Sequence, residues 1–95
     1  MKLRPVLLLT GAIGSVPEVV VAYISSVIPP NLLSSDVLLD PAKPEFRSTE
    51  LKVPSALRLH KLATIHTSSL ARRLGEIDSP TYVTIKTKLR DVFSF

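Results

Sequence analysis

The sequence predicts a mainly β fold that ends in a C-terminal helix, an α+β arrangement suited to a small barrel. Of the 95 residues, 45% are hydrophobic but only 5% are aromatic, so the core must be built from aliphatic side chains. Short aliphatic and β-branched runs alternate with turn residues, and a segment with helical periodicity follows them. This length fits one domain, residues 1–95, and we expect a homodimer because so small a core leaves a modest margin of stability.

Two strands joined by a turn are predicted near the N-terminus, at residues 5–10 and Glu18–Ser25. Residues 10–15 carry the small and polar side chains typical of a turn. The run from Val19 to Ile24 is apolar without alternation, so we expect the second strand to be buried on both faces. It is predicted to form the centre of the core.

The middle of the chain predicts shorter elements. Asp36–Leu39 is a short strand, and residues 43–48 are expected to form an extended polar connection. Residues 55–60 alternate, which places Leu57 and Leu59 on one face and Arg58 and His60 on the other. After a bend at residues 61–62, a further strand is predicted at residues 63–66.

The last part of the chain predicts a helix. Ser79 is its expected N-cap and Pro80 its first residue, with an apolar face formed by Tyr82, Ile85, Leu89 and Val92. The preceding segment, residues 67–75, has two interpretations that remain open. It is either a turn of helix with Thr67 as its cap and Gly75 at its C′ position, or a strand that reaches Ile77.

Several classes of protein are excluded. The chain has no cysteine, and its two histidines form no cluster with acidic residues at ligand spacing, so we expect no disulfide, metal or cofactor. The N-terminal apolar run, residues 6–9, is shorter than the roughly 7–15 residues of a signal peptide. A membrane span through this region would bury Glu18 at a cost of about 2.5–3.5 kcal/mol, which also disfavours a membrane-active peptide. We therefore expect a cytoplasmic protein without a membrane partner.

Charge is unevenly distributed. The formal net charge is +4, and most basic side chains lie in the second half of the chain, where the 72–73 arginine pair and the basic residues of the predicted helix occur. Such an excess indicates a polyanionic partner, with nucleic acid first and anionic lipid second. Ordinary solubilising surface explains the charge equally well, so charge alone leaves the function open.

Four segments, read in order, carry a resemblance to a known family. They are KLRPVLLL at residues 2–9, EVVVAYISS at residues 18–26, SDVLLD at residues 35–40 and LKVPSALRLHKLATIH at residues 51–66. Together they resemble the PemK/MazF family of toxins of type II toxin–antitoxin systems, which implies a small SH3-like barrel of the PemK type. The family normally has one more strand before the Arg-Pro pair, so the resemblance implies a barrel that is incomplete at its N-terminus. A second departure is Glu50, where many relatives carry glycine.

The resemblance implies a toxin-type endoribonuclease that cleaves single-stranded mRNA without a metal and is inhibited by a cognate antitoxin. In this family the RNA 2′-hydroxyl attacks the adjacent phosphate. Arg4 would neutralise the developing phosphoryl charge, and Ser25 would donate a hydrogen bond to the phosphate. Further RNA contacts are expected from Lys2, Ser26, Lys52, Arg58 and Lys61.

Two alternatives remain open. The chain could be a degenerate, non-catalytic relative that only binds RNA or an antitoxin. A histidine pair, His60 and His66, could instead act as general base and acid. Because a predicted bend separates them, the two histidines need not share a face.

Overall fold

The described elements follow the predicted order of strands and helix. The structure is a computed structural model that describes residues 4–94, so Lys2, a predicted RNA contact, lies outside the described residues. The strands are β1 (Val6–Leu8), β2 (Glu18–Ser25), β3 (Asp36–Leu39) and β4 (Ser55–His66), and one α-helix, α1 (Ser79–Phe93), follows them. All neighbouring strands are antiparallel, in the order β1-β2-β4-β3. The mainly β class with a C-terminal helix is confirmed, as a four-stranded half-barrel.

The core is aliphatic, as the composition predicts. The largest fully buried side chains come from β2, β3, β4 and α1: Val21, Leu39, Leu57, Leu59 and Ile85. The helix packs on β4, so the apolar stripe of α1 covers the buried face of the sheet. No helix in the described part of the chain is long and apolar enough to cross a membrane.

β2 is central, but it is not buried along its whole length. Val19, Val21 and Ala22 are buried as predicted, whereas Tyr23 is 43% exposed, which corrects the expectation of burial on both faces. The cause lies in the partner strand. Ala22 pairs with Leu62 and Tyr23 pairs with Arg58, so residues 59–61 of β4 have no partner in β2 and form a bulge between two consecutive pairs. A bulge bends a strand and increases its twist.

The same bulge corrects the prediction of two separate strands at residues 55–60 and 63–66. β4 is continuous from Ser55 to His66, and the expected bend is this irregularity within it. The alternation is confirmed, because Leu57 and Leu59 are fully buried while Arg58 and His60 reach the surface.

Three further expectations are corrected. The connection at residues 43–48 is not extended, because a proline at its start favours a 3₁₀ helix, Pro44–Thr49. Residues 67–75 form neither predicted structure: a short 3₁₀ turn, Thr67–Ser69, is followed by irregular chain up to α1. The N-cap of α1 is Asp78 rather than Ser79, since the Asp78 side chain accepts the Thr81 N–H at 2.9 Å.

Two local features of α1 and its surroundings have clear physical causes. Thr81 and Ile85 form the buried face of the helix, so Tyr82, predicted on that face, is instead 42% exposed. Glu50 ends the 3₁₀ helix in the left-handed region, with φ of 59°. Glycine adopts that conformation without the penalty of a Cβ atom, whereas Glu50 carries that penalty.

Gly75 is required by close backbone packing rather than by a helix end. The Glu76 N–H donates to the Ser48 carbonyl at 2.9 Å, and the Ser48 hydroxyl donates to the Glu76 carbonyl at 3.1 Å. These bonds hold the two segments together, so a Cβ atom at Gly75 would lie 2.5 Å from the Thr49 carbonyl oxygen and would also overlap Ser48.

We therefore expect Gly75→Ala to lower the free energy of unfolding by about 3 kcal/mol, because backbone atoms on both sides must shift. Urea unfolding followed by circular dichroism measures this loss. Gly11→Ala is the matched control, since a Cβ atom there meets nothing within 4 Å. Equal stabilities of the two variants would contradict the packing role of Gly75.

Candidate functional site

A cleft at one end of the sheet brings together four of the predicted site residues. Its volume is about 320 Å³, and its lining consists of Arg4, Tyr23, Ile24, Ser25, Arg58 and Lys61. Another depression, of about 370 Å³, lies between the 3₁₀ helix and the start of α1. Glu45 and Asp78 line that depression and no basic side chain does, so it does not suit a polyanion. The basic cleft is the candidate site.

Strand register places Arg4 beside Ser25. Val6 pairs with Tyr23, and the Ile24 N–H donates to the Pro5 carbonyl at 3.4 Å, so the pairing continues beyond the end of β1. Extended by one more residue, this antiparallel register sets Arg4 opposite Ser25. Because alternate residues of a strand share a face, Tyr23 and Ser25 lie on the same side as Arg4.

Arg58 is held in the cleft wall by a buried carboxylate. Its Nε donates to Asp36 Oδ1 at 2.8 Å and its Nη2 to Asp36 Oδ2 at 3.4 Å, while the Asp36 side chain is fully buried. The Leu33 N–H also donates to Asp36, at 2.9 Å. Burial raises the pKa of Asp36, but the hydrogen bonds from Leu33 and Arg58 and the Arg58 charge outweigh it, so this pKa lies below its ordinary value. The positive charge of Arg58 is therefore largely compensated.

Arg4 and Lys61 are different from Arg58. Both are exposed, and within residues 4–94 neither side chain makes a hydrogen bond or an ion pair. Their charges are available to an anion that enters the cleft. An unpaired arginine is well suited to phosphate, because its planar guanidinium forms two parallel hydrogen bonds and stays protonated.

The Ser25 hydroxyl is oriented by a local turn. Ser25 Oγ accepts the Val27 N–H at 3.1 Å, and its own proton points to the Val27 carbonyl at 3.2 Å. The 3.2 Å distance is long for an O–H···O hydrogen bond, so the bond to the Val27 carbonyl is weak, whereas 3.1 Å is ordinary for the N–H···O bond. The hydroxyl can turn its proton toward a phosphate and keep the bond from Val27 that holds the oxygen in place.

The remaining predicted residues lie outside the cleft lining. Ser26 is exposed in the turn after β2, and Lys52 is exposed in the loop before β4. Ser25 pairs with Ala56, so Lys52 belongs to the same end of the sheet. Both therefore border the cleft end without contributing to its wall.

The histidine pair is not brought together. His60 Nδ1 lies 2.7 Å from Ser35 Oγ and 3.9 Å from Asp36 Oδ1, while His66 Nδ1 accepts the Ser68 N–H at 3.1 Å. Both histidines lie on β4, and His60 precedes the regular segment from Leu62 to His66. That segment alone spans about 13 Å at the rise of a strand. A shared acid–base mechanism has no geometric support.

Sequence reasoning missed three residues of the site. Tyr23 and Ile24 line the cleft, and Asp36 fixes one wall. Tyr23 is an aromatic residue within an aliphatic run, a pattern that can be noticed in the sequence. Asp36 at the start of a strand carries no such signal, because its partner lies 22 residues away.

Within the described residues, no group of three or more histidine, aspartate and glutamate side chains is arranged to hold a metal ion. The charged side chains that line the cleft are basic: Arg4, Arg58 and Lys61. The arrangement can bind an anion, orient it and neutralise its charge.

A known protein family matches almost the whole chain. The family model described as PemK-like, MazF-like toxin of type II toxin-antitoxin system matches residues 1–93. None of the curated proteins matches the chain.

Three solved mycobacterial structures share the fold. The Mycobacterium tuberculosis toxin MazF-mt6 superposes with a TM-score of 0.77 at 23% identity, over 97% of this chain and 87% of that one. A second M. tuberculosis toxin gives 0.74 at 24% identity, over 95% and 92%. A structure described as an endoribonuclease from a mycobacterial species gives 0.70 at 17% identity, over 97% and 81%.

Proposed function

The chain belongs to the family of PemK-like, MazF-like toxins of type II toxin–antitoxin systems, and from this premise we propose that it is an endoribonuclease that cleaves single-stranded RNA. The observation that carries the proposal is the unpaired Arg4, which shares a cleft and a sheet face with Ser25. A neighbour in fold is described as an endoribonuclease, which is consistent with this activity.

RNA supplies its own nucleophile. The 2′-oxygen attacks the adjacent phosphorus and the bond to the 5′-oxygen of the next nucleotide breaks, which leaves a 2′,3′-cyclic phosphate and a 5′-hydroxyl. The 2′-hydroxyl loses its proton, and the leaving oxygen gains one. The enzyme must align these atoms and neutralise charge that develops on the phosphoryl oxygens. Because no external nucleophile is needed, the reaction does not require a metal.

Arg4 is proposed to perform the electrostatic part of this task. Its guanidinium forms two hydrogen bonds to the scissile phosphate and stabilises the transition state more than the ground state, because phosphoryl charge increases there. Arg4 is also proposed to donate a hydrogen bond to the leaving oxygen.

Ser25 is proposed to orient the phosphate. Its hydroxyl exchanges a weak bond to the Val27 carbonyl for a stronger one to a charged oxygen. Lys61 adds a second unpaired charge to the cleft lining. Arg58, whose charge is compensated by Asp36, is proposed to keep the wall in place rather than to bind phosphate strongly.

The family also implies an antitoxin. We propose that an acidic segment of this partner occupies the same cleft, since a chain that competes for Arg4 and Lys61 would block RNA directly. Activity as a homodimer in the cytoplasm belongs to the same proposal.

Two RNA oligonucleotides of one sequence test the proposed reaction, one with ribose throughout and one with a single 2′-deoxy sugar at the cleaved position. We expect the first to yield a 2′,3′-cyclic phosphate in the presence of EDTA and the second to resist cleavage there. Gel electrophoresis and mass spectrometry of the products measure both results. Cleavage of the 2′-deoxy oligonucleotide, or inhibition by EDTA, would overturn the mechanism. Binding without cleavage would favour the non-catalytic alternative.

A further inference from the structure

Tyr23 occupies an unusual position in the cleft. It lies in the central strand of the sheet, between the buried Ala22 and the half-buried Ile24, yet its side chain is 43% exposed. Within the described residues its ring has no cation above it and its hydroxyl has no hydrogen-bond partner. The two preceding residues of the strand, Val21 and Ala22, are fully buried, so the exposure of the Tyr23 ring has a local cause.

The bulge in β4 is the structural cause of the exposure. The register shift between Ala22 and Tyr23 sets Arg58 opposite Tyr23 and displaces the following β4 residues. Asp36 holds the Arg58 guanidinium by two hydrogen bonds, at 2.8 and 3.4 Å, so it is not free to lie over the tyrosine ring. The ring is left open toward the cleft.

The neighbours of the ring are the residues that would bind phosphate. Tyr23 and Ser25 are two positions apart on one face of β2, about 7 Å at the rise of a strand. Arg4 lies opposite Ser25 on the next strand, and Lys61 completes the cleft. The aromatic ring therefore lies close enough to the phosphate site to contact a base while the phosphate of the same or an adjacent nucleotide is bound there.

We infer that Tyr23 is a stacking platform for an unpaired base next to the scissile phosphate. This inference rests on the proposed function and adds a substrate feature to it. An exposed aromatic ring beside unpaired cations is the combination by which proteins hold single-stranded nucleic acid, because the cations bind the backbone and the ring binds a base. A base in a duplex is covered by its neighbours, so the platform selects single-stranded RNA. Stacking accepts any base, so Tyr23 selects strandedness rather than sequence.

The chain contains its own matched control. It has two tyrosines and no tryptophan. Tyr82 on α1 is 42% exposed, nearly the same as Tyr23, but it lies outside the cleft and Lys86 covers its ring at 5.4 Å from the centroid. If substitution of Tyr82 weakened RNA binding as much as substitution of Tyr23, the loss would come from a general change of the surface and not from the cleft.

Binding of a single-stranded RNA 12-mer with 2′-O-methyl sugars, which cannot be cleaved, measures the contribution of the ring. We expect Tyr23→Leu to weaken binding roughly 5- to 100-fold. Tyr23→Phe, which keeps the ring, and Tyr82→Leu should bind nearly as the wild type does. In a Tyr82→Phe background, Tyr23 is the only tyrosine of a chain without tryptophan, so tyrosine emission reports on it alone and should be quenched when the RNA binds. Urea unfolding of each variant identifies any loss of binding that follows from a loss of fold.

The outcomes separate this inference from the proposed function. If the wild type cleaves RNA but Tyr23→Leu binds as tightly as the wild type, the stacking role is wrong and the endoribonuclease stands. If RNA binds with quenching of Tyr23 but is not cleaved, the platform stands and the catalytic proposal falls. If the wild type neither binds the 12-mer nor cleaves the unmodified RNA, both are overturned, whereas cleavage without binding of the 12-mer overturns the platform alone. A loss of stability in Tyr23→Leu with unchanged binding would show that the ring only packs across the strands on Val6 and Arg58.

Discussion

Arg4→Ala is expected to lower the rate of RNA cleavage about 100- to 1,000-fold, with little change in stability. The rate falls because the phosphoryl charge of the transition state loses a donor that no neighbour replaces, and removal of one such donor in other enzymes has an effect of this size. The fold tolerates the change because Arg4 is exposed and, within residues 4–94, has no hydrogen bond or ion pair. Single-turnover cleavage of an RNA oligonucleotide and thermal unfolding measure the two quantities.

Two further variants show whether the effect belongs to the guanidinium. Arg4→Lys keeps the charge but loses the planar pair of donors, so we expect a rate between those of wild type and Arg4→Ala. Arg90→Ala makes the same change of net charge on the exposed surface of α1, outside the cleft lining, and we expect a rate close to wild type. In cells, induced expression should arrest growth with the wild type and not with Arg4→Ala. Equal arrest by both would contradict the role of Arg4.

Asp36→Ala is expected to lower the free energy of unfolding by about 3 kcal/mol near neutral pH. The Asp36 side chain is fully buried and that of Arg58 is 18% exposed, so the change leaves a poorly hydrated arginine without its partner. It also removes the acceptor of the Leu33 N–H. Urea unfolding followed by circular dichroism measures this loss. The pair Arg73–Glu76 is the matched control, since its side chains are 75% and 66% exposed. We expect Glu76→Gln to change stability by less than about 1 kcal/mol.

The same carboxylate predicts a pH dependence. Its pKa in the folded chain lies below the ordinary value of 3.8, so the folded state prefers the ionised form more strongly than the unfolded state does. The stabilisation is present above the unfolded pKa and is lost as pH falls through the lower folded pKa. We therefore expect the wild type to lose stability below about pH 4, and Asp36→Ala to lose less over that range. If both proteins lost the same free energy of unfolding as pH falls, other carboxylates would account for the pH dependence.

Local pattern was sufficient for the strands that carry the core. The bounds of β2 and β3 follow the aliphatic runs, and Leu57 and Leu59 are buried as their alternation predicts. The segments near Pro44 and Gly75 were not predictable in the same way. A glycine is needed at position 75 because another backbone segment passes close to it. A contact of that kind leaves no periodic signal in the sequence.

The candidate site, like the fold, was predicted from the sequence only in part. The resemblance predicted Arg4 and Ser25 as site residues, and Arg58 and Lys61 were predicted as RNA contacts; the structure brings these four residues to one cleft. The sequence did not indicate that Arg58 is neutralised while Arg4 is free, because that difference depends on Asp36, which pairs with Arg58 only after β3 and β4 associate. The sign of a charge is set by the residue itself, whereas its availability to a ligand depends on the residues that pair with it.

The sequence by itself determined the aliphatic core, the strand and helix order, and, through four ordered segments, the family of toxins to which the chain belongs. Only the tertiary structure decided which polar residues meet. The register between β1 and β2 sets Arg4 opposite Ser25, and the bulge in β4 turns Tyr23 outward. Both depend on pairing between residues far apart in the chain, and such pairing is selected by the packing of the whole sheet rather than by any local run of residues.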